Sequence, residues 1–117
     1  MERRHRLSRS RDFDAVYRQG RSASTRYLTV HWFPRPAINE PGPPRVGFAV
    51  PRVVGTAVVR NRVKRQLREA WSTVAGEATP GRDYVIAARP GIAEPADTRG
   101  ATWLAEQVRE AFGKVAA

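Results

Sequence analysis

Cysteine is absent from the 117 residues. That excludes disulfides, thiolate nucleophiles and cysteine-ligated zinc, iron–sulfur or haem centres. Histidine is scarce: His5 and His31 stand 26 positions apart and leave little for a histidine-based metal site. No run approaches the roughly 18 apolar residues that a membrane-spanning helix needs. The opening Met1-Glu2-Arg3-Arg4-His5-Arg6-Leu7 lacks the apolar core of a secretory signal. Acidic residues are few, 11 against 21 basic ones, for a net charge of +10. Lysine is nearly missing from that basic set, which is arginine apart from Lys64 and Lys114. These absences leave a small intracellular, cytoplasmic domain with no membrane segment and a positive charge to explain. The length fits one domain, residues 1–117, able to bury its own core.

The charge is unevenly placed. Residues 1–75 hold 16 basic and 5 acidic side chains, a net of +11, whereas residues 76–117 hold 5 and 6, a net of −1. No acid occurs between Pro41 and Arg68. Charge kept only for solubility would be interspersed. An excess confined to one part of a small domain is the footprint of a polyanionic partner.

Apolar periodicity organises the chain as helix, two or three strands, helix, strand, helix. Ser10 to Arg18 reads as a short helix capped by Ser10 and ended by Gly20, with Phe13, Val16 and Tyr17 at i, i+3, i+4. Tyr27–Phe33 and Val46–Val50 read as strands, with Pro51 at the border of the second. The proline-rich stretch from Pro34 to Pro44 reads as a long hairpin connection. After a turn at Gly55, Thr56–Val59 reads as a brief third strand. The clearest element is a helix from about Asn61 to Val74, because Val59, Val63, Leu67, Ala70, Trp71 and Val74 share one face. Tyr84–Ala88 is an apolar strand covered on both faces, and a last helix runs from about Thr98 to Val115 with Leu104, Val108, Ala111, Phe112 and Val115 inward. The order specifies an α+β sandwich, a small mixed sheet with helices packed on it.

The chemistry concentrates in the central helix. Arg60-Asn61-Arg62-Val63-Lys64-Arg65-Gln66-Leu67-Arg68 packs five cations and two amides around one apolar edge. Arg60, Lys64 and Arg68 follow i, i+4, i+8, and Arg62 and Arg65 widen the positive arc. Like charges at this spacing cost a few tenths of a kcal/mol per pair, and only Glu69 offsets them within the helix. Arginine forks grip phosphate oxygens, while Lys64 acts as a point charge. A basic helix set between strands does not fit the frames that read a DNA major groove, so RNA is the better match. A second group is Phe13 and Tyr17, one turn apart among Arg9, Arg11, Arg18 and Arg21. Rings amid cations suit single-stranded nucleic acid, but an aromatic pair at i, i+4 is more often part of a core face. No catalytic constellation is visible. Asp12 and Asp14 lie two apart and do not share a helix face, so they favour the helix N-terminus rather than a metal.

Ala57-Val58-Val59-Arg60-Asn61-Arg62-Val63-Lys64-Arg65-Gln66-Leu67-Arg68-Glu69 resembles the signature of the protein subunit of bacterial ribonuclease P. Asp12–Gly20 resembles that family's opening helix, Arg45–Val50 its central strand and Asp83–Pro90 its last strand, in the right order along the chain. The resemblance implies a fold like the second domain of ribosomal protein S5, with a left-handed β–α–β crossover. It implies an RNA-binding cofactor of a ribozyme that removes 5′ leaders from precursor tRNA. The RNA subunit would carry the catalytic site and its Mg²⁺, and the protein alone would cleave nothing. By position, Arg52, Arg60, Asn61, Arg62, Lys64, Arg65 and Arg68 would contact the catalytic RNA. Phe13, Tyr17, Arg9 and Arg11 would hold the leader, in a 1:1 protein–RNA complex. Pro51-Arg52-Val53 departs from the family's usual Ser-Lys-Lys, and Thr56 stands where a basic residue is frequent. The alternative is a ribosomal or general RNA-binding module without leader recognition.

Overall fold

A computed structural model describes residues 20–34 and 42–116. The expected opening helix, with Arg9, Arg11, Phe13 and Tyr17, lies outside the described residues. Four strands form one sheet: β1 (Arg21–Ser24), β2 (Leu28–Pro34), β3 (Arg45–Ala49) and β4 (Arg82–Ala88). Among the described residues two helices cover it, α1 (Ala57–Val74) and α2 (Ala93–Ala116). Short 3₁₀ turns at Arg52–Val54 and Ala75–Glu77 flank α1.

The sheet order is β1-β2-β4-β3. β2 runs antiparallel to both β1 and β4, and β3 runs parallel to β4. β2 and β3 are therefore not neighbours, and the connection between them is not the hairpin that its prolines suggested. Hairpin reasoning uses only local turn chemistry, whereas β4 supplies a more apolar partner for both strands and inserts between them. The parallel pair β3 and β4 is joined through α1, which fixes the basic helix on the sheet.

Register sorts the side chains. Val30 faces Ile86, which faces Phe48, and Trp32 faces Tyr84, which faces Val46. With Leu28 and Ala88 these form the helix-side face of the sheet. Onto it α1 brings Val63, Leu67, Ala70, Trp71 and Val74, and α2 brings Ala96, Trp103, Leu104, Ala105, Val108 and Ala111. Trp71, Tyr84 and Phe112 join α1, β4 and α2, with ring centroids 5.5–6.0 Å apart. On the opposite face, buried Val85 packs with Phe33 and Ala49, so β4 is covered on both sides as its continuous apolar run required. Arg45 grips buried Asp83 across the parallel pair, Nε donating to Oδ1 at 2.9 Å and Nη2 to Oδ2 at 2.7 Å.

Three local expectations are corrected. Thr56–Val59 is not a strand: Thr56 caps α1, its Oγ1 accepting from the Val59 N–H at 3.3 Å, and the helix starts at Ala57. The β-branched run misled because capping by threonine wins over strand propensity where a helix follows. Arg21–Ser24 forms an edge strand although it is too polar to show alternation. The last helix starts at Ala93, before Pro95, and is interrupted at Gly100 (φ 77°, ψ −168°). Proline is tolerated there because the first-turn N–H groups have no helical partner. The left-handed φ explains why glycine occupies position 100.

Candidate nucleic-acid interface

The burial of α1 fixes where its cations point. Val63, Leu67 and Val74 are fully buried, and Ala70 and Trp71 lie beside them. At about 100° per residue the opposite side carries Val58, Asn61, Arg65, Arg68 and Glu69, all exposed. Arg60 and Lys64 lie on one flank, half-buried, with the Arg60 Nε enclosed and unbonded against the fold. Arg62 lies on the other flank and turns to α2, where its Nη2 donates to the Ala93 carbonyl at 3.4 Å and its Nε is 3.7 Å from an Asp97 carboxylate oxygen. Hence the six polar residues do not form one face. Asn61, Arg65 and Arg68 are outermost, Arg60 and Lys64 border the core, and Arg62 is partly neutralised by α2.

Energetics explain how the helix tolerates this. The i, i+4 and i, i+3 repulsions among Arg60, Arg62, Lys64, Arg65 and Arg68 total roughly 1–2 kcal/mol at a few tenths per pair. Burial of Val63, Leu67, Trp71 and Val74 contributes about 1.5–3 kcal/mol each, so packing prevails. The first turn holds no acid and the last turn no base, so neither helix end is matched to the backbone dipole. The positive end adds instead to the cations. Among the described residues no carboxylate lies within salt-bridge distance of Arg52, Arg60, Lys64, Arg65 or Arg68.

Arg52 is held at the entrance to this helix. Its turn is closed by the Gly55 N–H donating to the Arg52 carbonyl at 3.1 Å, and by the Val54 N–H donating to Pro51 at 3.0 Å. A Cβ at Gly55 would lie 2.8 Å from Val59 Cγ1, so glycine allows the turn to approach α1 closely. Arg52 thus stands beside the first turn of α1.

Elsewhere, Arg82 stacks on Trp32 with its guanidinium carbon 3.8 Å from the ring centroid. The sequence did not reveal this contact, because only strand register brings the two together. His31 is half-buried on the face of β2 away from the helices, and desolvation lowers its pKa below the ordinary 6.5. It therefore adds little to the positive charge at neutral pH. Among the described residues no three His, Asp or Glu side chains converge as a metal site would require, and no helix is long and apolar enough to cross a membrane.

A family model described as ribonuclease P matches residues 1–116. The chain belongs to the ribonuclease P protein family. It is the protein cofactor of the ribonuclease P RNA in tRNA processing, a subunit of an endoribonuclease and not its catalytic part. The ribonuclease P protein component of Geobacillus thermodenitrificans is 37% identical over 94 residues, covering 80% of this chain and 75% of that one. The corresponding Bacillus cereus protein is 36% identical over 94 residues, covering 80% and 79%. The solved ribonuclease P protein from Thermotoga maritima superposes with a TM-score of 0.76 at 27% identity, covering 90% of this chain and 92% of that one. The Staphylococcus aureus structure, at 24% identity and a TM-score of 0.73 over 95% and 94% of the chains, speaks for the fold alone. The α+β sandwich expected from the sequence is the fold that these ribonuclease P proteins share.

Proposed function

We propose that this chain binds the catalytic RNA of ribonuclease P through Arg52 and the exposed face of α1, and that it contacts the 5′ leader of precursor tRNA. The observation that carries the RNA contact is the outward face of α1: Asn61, Arg65 and Arg68 are exposed, and among the described residues no acid is paired with those cations. Phosphates take the place of the missing carboxylates. Arg60 and Lys64 reach the same backbone from the flank, their stems lying along the fold and their charges at its edge. Arg62 is first a link to α2 and only then an RNA contact.

Phe13 and Tyr17, with Arg9 and Arg11, are proposed as the leader site by their place in the family motif. A ring that stacks on a leader base adds affinity for precursor and none for mature tRNA, which is how a protein without catalytic groups aids turnover. The donor set of the described residues does not suit a resident Mg²⁺: they offer no converging carboxylates, and the proposed interface is cationic. We place the Mg²⁺ with the RNA. The complex is proposed to be 1:1 and cytoplasmic.

The test is cleavage of precursor tRNA at low Mg²⁺ by protein alone, RNA alone and both. We expect no cleavage by the protein, weak cleavage by the RNA and strong enhancement by the pair. Equal activity of RNA with and without protein contradicts the cofactor role.

A further inference from the structure

Among the described residues two large hydrophobic side chains remain exposed, Val53 at 67% and Val58 at 79%. Both stand at the start of α1. Val53 is on the turn that leads into α1, and Val58 is on the first turn of the helix. The fold asks for neither. The Arg52–Val54 turn buries no residue, and Val58 lies on the side of α1 opposite Val63, Leu67 and Val74. Capping does not require Val58 either, because Thr56 supplies the cap. A β-branched residue is also a weaker helix former than Lys, Arg, Gln or Glu, which suit a solvated slot. One exposed valine is ordinary. Here both stand among the cations proposed to meet RNA: Val53 follows Arg52, and Val58 precedes Asn61 and Arg65 along the outward stripe at i, i+3, i+7.

We propose that Val53 and Val58 make an apolar contact with unpaired nucleotides of the ribonuclease P RNA, beside phosphates held by Arg52 and Arg65. The inference rests on the reading of α1 as the RNA-binding helix and specifies the kind of RNA that it meets. A paired A-form segment presents phosphates and 2′-hydroxyls, against which valine methyls bury nothing useful. Bases splayed from a loop or bulge present flat, weakly polar faces and base edges. Charge decides the occupant. A second copy of the chain would bring +10 against +10, whereas RNA brings a negative charge with every nucleotide.

The experiment replaces one methyl by a hydroxyl at each position, in Val53→Thr, Val58→Thr and the double variant. Threonine keeps the shape and β-branching, and both sites are exposed, so the thermal melt should not move. Affinity for the ribonuclease P RNA is measured from 50 to 400 mM salt. Losing one buried methyl contact weakens binding about fourfold, and losing two about 15-fold. The plots of log affinity against log salt should be displaced yet parallel to the parent, because no charge has changed. Val58→Ile should bind at least as well as the parent. Should the double variant melt early, Val53→Thr, which lies outside α1, carries the test alone at about fourfold. Parent affinity at every salt, with Arg65→Gln still lowering the slope, overturns the apolar contact and leaves the RNA-binding helix standing. Parent behaviour in both kinds of variant overturns both. A changed slope in the valine variants, or a change in self-association with RNA affinity untouched, also overturns the proposal.

Discussion

Replacing Arg65 and Arg68 together by glutamine removes two charges from α1 without touching its packing. Both side chains are exposed on the side opposite the core, and neither has a carboxylate within 4 Å among the described residues. Glutamine preserves most of the stem and has similar helix propensity, so the melt should stay within about 0.5 kcal/mol of the parent. If each arginine takes one phosphate, the slope of log affinity against log salt falls by about 0.7–0.9 per residue, or roughly 1.4–1.8 for the pair. Between 50 and 200 mM salt the parent should then lose about 7- to 12-fold more affinity than the variant. Titration of the ribonuclease P RNA at several salt concentrations measures this directly. Arg62→Gln is the internal comparison. Its guanidinium is already engaged by Asp97 and the Ala93 carbonyl, so its slope should fall by less than that of Arg65→Gln. A folded double variant with the parent slope refutes the outward face as the RNA contact. An Arg62→Gln slope change as large as that of Arg65→Gln would instead turn the RNA toward α2.

Other outcomes follow from single sites. Leu67 is fully buried, so Leu67→Ala should cost about 2–5 kcal/mol in chemical denaturation, and a loss under about 0.5 kcal/mol would contradict the orientation of α1. Tyr17→Ala should lower the ratio of precursor to mature tRNA affinity in the reconstituted enzyme about 5- to 100-fold, the equivalent of one lost stacking contact; equal weakening of both RNAs would remove the leader site from that position. His31 has its pKa lowered by burial, so the stability it contributes is present above the ordinary histidine value near 6.5 and is lost as pH falls through its lowered value. His31→Gln should therefore flatten the fall in melting temperature between about pH 7 and 5, and identical pH profiles for parent and variant would show that His31 is not the group responsible.

Elements with a strong apolar period were legible in the chain. Val63, Leu67, Ala70, Trp71 and Val74 placed α1, and the run Tyr84–Ala88 placed a strand buried on both faces. The polar Arg21–Ser24 was illegible, because its backbone pairing with β2 leaves no trace in side-chain hydrophobicity. The sheet order was equally hidden: β4 enters between β2 and β3 through contacts far apart in sequence. For the proposed interface, charge density pointed to the helix but not to the direction of each cation. Arg62 differs from Arg65 only by its place on the helical wheel and by the arrival of Asp97 from α2. Val58 could have been found, since it fills a polar slot of the wheel opposite the core stripe.

The position of β4 between β2 and β3 has a consequence for synthesis. β3 pairs with no strand but β4 among the described residues, and α1 packs its apolar face on a sheet that β4 completes. The ribosome therefore delivers the whole basic helix before the strand that gives it a place to fold. At about 5–20 residues per second, α2 follows only seconds later. In that interval the nascent chain offers its most cationic segment with its apolar stripe uncovered, next to the most abundant RNA in the cell. Parallel pairing across a long crossover is intrinsically slow to form. A late β4 thus sets a kinetic contest between completing the sheet and non-specific capture by RNA, and folding has to win it before the helix can be offered to its proper partner.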